Sequence, residues 1–142
     1  MKRTFSFVLA LVMTLFCCNG LAVAAAASDV RSSPTISSYA VMLKAGSKRG
    51  ELRISYDVTS SQPRADVGVS SIEIYKSDGT YVTTITGTTS NGLISNGTGS
   101  TSGTYSHIAT SGVSYYAKVT IFAKANGVSD SRTVTTETVK TV

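Results

Sequence analysis

The chain has 142 residues, enough for about one domain, and it carries two Cys, one His and no Trp. Its formal net charge is +5, which falls to +3 once Lys2 and Arg3 are set aside, and Lys48-Arg49 is the only adjacent basic pair in the remainder. Scattered charge of this size excludes a basic nucleic-acid patch, and one His beside two Cys leaves little material for metal or nucleophilic chemistry.

The N-terminus has the layout of a secretory signal peptide: basic Lys2-Arg3, an almost wholly apolar run from Phe5 to Phe16, and small residues from Ala22 to Ala27. That run is short for a membrane span, which needs roughly 20 residues. Residues 1–27 are therefore expected to be removed, with cleavage after Ala25 or Ala27. An uncleaved anchor is the rival reading. Cys17 and Cys18 fall inside the signal, preceded by Phe16 rather than the small residue of a lipoprotein site. The exported chain is then free of Cys and relies on its core for stability. Secretion without a membrane span is expected, and so is release rather than anchoring, because no sorting motif or apolar tail precedes Val142.

Residues 28–38 are polar, contain Pro34 and lack periodicity, so a flexible leader is expected. Residues 39–142 alternate with period two, as strands do. Tyr39 to Ala45 is a first strand. Glu51 to Val58 is a second, with Leu52, Ile54, Tyr56 and Val58 on the core face. In Val67 to Lys76 the apolar phase breaks between Val69 and Ile72, which a β-bulge near Ser70-Ser71 would reconcile. Ser77-Asp78-Gly79-Thr80 signals a hairpin into a strand from Tyr81 to Thr86.

Gly87 to Gly103 is almost entirely Gly, Thr, Ser and Asn, interrupted by Leu93-Ile94, and reads as a mobile segment with one short strand around Leu93. Thr104 to Ala109 is a further strand. Val113 to Ala125 alternates most regularly, with Tyr115, Ala117, Val119, Ile121 and Ala123 on one side. Asn126-Gly127 suits a type I′ turn, and Val128 to Thr138 returns. The expectation is an all-β, seven-stranded antiparallel sandwich.

Tyr115 to Ala123, with Asn126-Gly127-Val128-Ser129-Asp130-Ser131 after it, resembles strands F and G of fibronectin type III-like domains. That resemblance implies an Ig-like sandwich and makes Tyr115 a tyrosine-corner residue, whose hydroxyl bonds to nearby backbone. Tyr116 is out of phase with the core. The resemblance departs from the family in having no Trp on the second or third strand; Tyr56 is the candidate to fill that volume. The chain also resembles short secreted Ig-like proteins of Gram-positive bacteria. The resemblance implies a fold and a compartment and no activity.

Catalytic signals are thin. His107 beside Ser106 is one coincidental pairing among many Ser, and a structural or surface histidine explains it. The carboxylates Asp29, Glu51, Asp57, Asp66, Glu73, Asp78, Asp130 and Glu137 form no EF-hand pattern or tight pair. No catalytic residue, metal site or cofactor is assigned, and the chain is not expected to be an enzyme. Binding is the alternative. If the strand of Tyr116 is central and the third strand lies beside it, Tyr75, Tyr116 and Phe122 form an outward aromatic stripe flanked by Lys118 and Lys124. Such a patch suits a protein partner or a cell-wall glycan, although cross-strand pairing alone also explains it. A monomer is the expected state.

Overall fold

The structure, a computed structural model, describes residues 35–142. The expected signal peptide and leader residues 28–34 lie outside the described residues. Nine strands follow one another: β1 (Ile36–Ala45), β2 (Glu51–Ser60), β3 (Asp66–Lys76), β4 (Tyr81–Thr86), β5 (Ile94–Ser95), β6 (Ser100–Ile108), β7 (Ser114–Ala125), β8 (Val128–Thr135) and β9 (Val139–Lys140). They form two antiparallel sheets, one in the order β1-β2-β6 and one in the order β4-β3-β7-β8. β5 extends the second sheet beside the start of β3, and β9 does so beside the start of β7. The result is an all-β sandwich. The seven long strands are those expected, with bounds corrected below; β5 is the short strand expected around Leu93, and the two-residue β9 is additional.

Alternation builds the core. Leu52, Ile54, Tyr56 and Val58 of β2 face Ala117, Val119, Ile121 and Ala123 of β7 across one shared apolar cluster. The expected bulge is present: the pairing of β3 with β7 shifts between Val69 and Ser71. The extra residue lets Val67 and Val69 share a face with Ile72 and Ile74, and all four are fully buried. At Asn126-Gly127 both residues take positive φ, 51° and 76°, as a type I′ turn requires. In the β3–β4 turn Gly79 takes φ 88°, and the Thr80 amide donates to Asp78 Oδ1 at 2.8 Å.

Tyr115 is buried, and its hydroxyl lies 3.2 Å from the Thr110 amide and 3.4 Å from the Thr110 carbonyl. This is the backbone bond expected of it. Tyr56 is buried in the core at 6% exposure. Its hydroxyl donates to the Gly92 carbonyl at 2.6 Å, and a Cβ at Gly103, directly opposite on β6, would collide with its phenol.

Three expectations are corrected. β1 begins at Ile36, not Tyr39, because Thr35 and Ile36 are buried and the Thr35 carbonyl accepts the Ser60 hydroxyl at 2.8 Å. The segment from Gly87 to Gly103 is ordered rather than mobile. Leu93 sits in the core at 1% exposure, Asn91 Oδ1 accepts the Thr88 amide, Asp66 Oδ1 accepts the Gly97 amide, and the Ser60 amide donates to the Gly99 carbonyl. β6 consequently starts at Ser100, four residues before the expected Thr104. Finally, β8 ends at Thr135 rather than Thr138. Its partners opposite Ile121 and Ala123 are Arg132 and Asp130, so two charged residues lie on the inner side of an edge strand. Inward charge is a device that discourages edge-to-edge pairing.

Candidate functional site

The outer face of the β4-β3-β7-β8 sheet carries Tyr75, Tyr81 and Tyr116 in contact with one another. Tyr75 on β3 pairs directly with Tyr116 on β7, and on its other side with Tyr81 on β4. The Tyr75 and Tyr116 rings stack with centroids 5.3 Å apart and planes 11° apart. Tyr81 meets Tyr75 edge-on at 5.8 Å and 71°. Such offset and edge contacts suit the ring quadrupole. The Lys118 ammonium sits 5.0 Å from the Tyr75 centroid, a cation–π distance. Glu73, opposite Lys118, accepts the Tyr75 hydroxyl at 2.8 Å and pushes that phenol above its ordinary range.

The structure therefore brings together Tyr75, Tyr116 and Lys118 and separates them from Phe122 and Lys124. Phe122 is six residues beyond Tyr116, about 20 Å along the strand, and lies between Gly68 and Ser131. Lys124 is exposed and opposes Asp66. The expected single stripe is a three-tyrosine ladder at one end of the sheet, with a lone Phe at the other. Tyr81, the most exposed of the three at 56%, was not among the expected residues. The signal for it lay in the hairpin: a turn centred on Asp78-Gly79 returns the chain so that Tyr81 falls opposite Tyr75.

His107 and Ser106 are adjacent on β6 and so point to opposite faces. Ser106 pairs with outward Arg53, and His107 with fully buried Leu52. A Ser106–His107 relay is thereby ruled out by geometry. The Ser106 hydroxyl instead supports Glu51, whose carboxylate accepts the Lys48 amide at 3.1 Å and is held below the usual carboxylate range by that bond first. Among the described residues no cluster of His, Cys, Asp and Glu is arranged to hold a metal, and no helix is long and apolar enough to cross a membrane.

Burial pushes the His107 imidazole below its ordinary pKa. The unfolded value is about 6.5, so the unfolded chain binds the proton more readily. The contribution of this group to stability is complete above that pH and is lost as pH falls below it. Urea titrations at mildly acidic and mildly alkaline pH are expected to show a smaller pH dependence for His107→Gln than for the parent. An equal dependence in both would remove His107 as a source.

No protein-family model matches the chain, and no curated protein matches it. Among solved structures, the apo structure of β-glucuronidase 3 from Bacteroides uniformis is similar over 70% of this chain and 12% of that one, at 14% identity and a TM-score of 0.42. A likeness at that level transfers neither activity nor substrate, and the chain corresponds to only a small part of that protein.

Proposed function

We propose that this chain is a secreted, non-enzymatic interaction module of Ig-like or fibronectin type III-like type, binding a protein or cell-surface component through the Tyr81-Tyr75-Tyr116 ladder and Lys118. The observation that carries this reading is the placement of three tyrosines on the open face of a sheet rather than in the core. Tyrosine supplies large, stiff contact area with a polar tip and is enriched in protein recognition surfaces. The Ig-like assignment is supported by the strand order, in which the first, second and sixth strands form one sheet and the third pairs with the seventh, and by the Tyr115 hydroxyl bonds to Thr110.

A carbohydrate or cell-wall ligand is the second reading, favoured by the exposure of Tyr81. Stacking on a sugar needs a free ring face. Tyr75 is already engaged by Tyr116, Tyr81 and Lys118, which weighs toward a protein partner. The two are separated by presenting the purified protein to culture-supernatant proteins and, separately, to purified wall polysaccharides. A Tyr81→Ala, Tyr116→Ala variant with an unchanged melting temperature is expected to bind its protein partner at least about 30-fold more weakly, the loss of roughly 2 kcal/mol typical of a recognition hot spot. Binding by the parent to wall glycan alone would transfer the assignment to carbohydrate. A parent that binds neither, or a variant that binds undiminished, would remove the ladder as a site.

A further inference from the structure

The four outer edges of the two sheets are not equally guarded. β1 has a register shift between Ile36 and Ser38 and carries Lys44. β8 turns Asp130 and Arg132 toward the inside, and the Arg132 guanidinium lies 5.9 Å from the Tyr39 ring of β1, closing that flank. β4 is six residues long and pairs with β3 through a register shift at Ile74/Tyr75. β6 has none of these devices. It runs nine residues, Ser-Thr-Ser-Gly-Thr-Tyr-Ser-His-Ile, pairs with β2 in unbroken register, and ends its sheet. It lies within the stretch from Gly79 to Ala117, which contains no Asp, Glu, Lys or Arg. A regular, uncharged edge without Pro is the kind that accepts another strand.

We propose that β6 is the contact through which two copies of this chain pair, antiparallel and about a two-fold axis at Thr104. The occupant follows from the sequence of the strand itself. Overlap of residues 100–108 with their symmetry mates sets Thr104 against Thr104, Ser102 against Ser106, and Gly103 against Tyr105. The outward row is then Thr and Ser throughout its centre, a favourable cross-strand pairing. The same chemistry already operates on the other side of the strand, where the Ser55 and Thr104 hydroxyls share a 3.0 Å hydrogen bond. On the inner row each Gly103 falls opposite Tyr105 of the other copy, and the glycine is already covered by the Tyr56 phenol of its own chain. No like charges meet. The contact is isologous and closes after two copies, and it joins β1-β2-β6 to its mate as one six-stranded sheet. In this proposal the expected monomer gives way to a dimer. The edge belongs to the sheet opposite the tyrosine ladder, so this proposal and the binding proposal stand or fall separately.

Sedimentation equilibrium of the purified protein tests it, together with Thr104→Lys and Thr104→Cys variants. The Thr104 side chain is exposed and outward, so neither change burdens the core. The parent is expected to dimerise reversibly. Thr104→Lys sets two ammonium groups against each other and is expected to weaken the dimer at least about tenfold, with an unchanged melting temperature. Thr104→Cys is expected to give a disulfide-linked dimer under oxidising conditions, whereas Ser129→Cys on β8 is not. A parent that stays monomeric to its solubility limit, a dimer indifferent to Thr104→Lys, or equal cross-linking at Ser129 would overturn the proposal. So would β6 pairing only with a strand from a different protein.

Discussion

Replacing Leu93 by alanine is expected to cost about 2–5 kcal/mol, the range for removing a buried leucine side chain. Small domains are stable by only about 5–15 kcal/mol, so this one change removes a large share of the total. Leu93 stands outside the long strands, in a stretch that apart from Ile94 is otherwise built from Gly, Ser, Thr and Asn, and it is the only fully buried side chain there. Its carbonyl accepts the Val69 amide at 2.8 Å, and its amide lies 3.3 Å from Asn91 Oδ1. The side chain therefore holds the segment against the core while the backbone stitches it to β3. Urea unfolding gives the energetic loss, and hydrogen exchange at the Val69 amide gives the local one. Both are expected to move together. A variant with an early urea midpoint and an undisturbed Val69 amide would show that Leu93 packs without organising the segment.

Gly68→Ala is expected to be comparably damaging for a different reason. Gly68 takes φ 153°, a conformation that side-chain-bearing residues rarely adopt, and a Cβ there would collide with the Leu93 carbonyl oxygen and meet Ile94 Cα at 2.8 Å. The obstacle is backbone at Leu93 and at the start of β5, which cannot swing aside as a side chain can. Backbone strain alone costs about 1–3 kcal/mol, and displacing β5 adds to it. Gly79→Ala is the control. Gly79 also has positive φ, but a Cβ there meets nothing within 4 Å, so it carries the conformational cost without the collision. Urea midpoints are expected to fall further for Gly68→Ala than for Gly79→Ala. Equal losses would mean that close approach of β5 to β3 contributes nothing.

Both sites bear on how order arises in an uncharged, Gly-rich segment. Low hydrophobicity and an absence of periodicity predict mobility from Gly87 to Gly103. The segment is ordered because its polar groups find partners distant in sequence: Asp66 for Gly97, Ala65 for Gly99, and Tyr56 for Gly92. None of those pairings leaves a local mark. A buried amide or carbonyl without a partner is costly, so once Leu93 docks, the surrounding backbone is drawn into these bonds.

The tyrosine ladder shows the same division at the candidate site. Tyr75, Tyr116 and Lys118 were legible as outward residues because period two fixes which side of a strand each occupies. Which outward residues touch was not legible, because that depends on register between strands. Pairing Tyr75 with Tyr116 sets Phe122 against Gly68 and out of reach, and the turn at Gly79 brings in Tyr81.

By itself, then, the sequence determined what rests on local geometry. It marked the face of each long strand, the bulge after Val69 that restores the phase of Ile72 and Ile74, and the positive-φ turn at Asn126-Gly127. The resemblance of the Tyr115 to Ser131 stretch to fibronectin type III-like strands, rather than local geometry, pointed to the hydroxyl bond of Tyr115. The tertiary structure alone decided which strands are neighbours, which edges are left open, and why a segment lacking periodicity is held in place. Those outcomes depend on contacts between residues far apart in the chain, whose geometry is fixed only when both sheets close over one core.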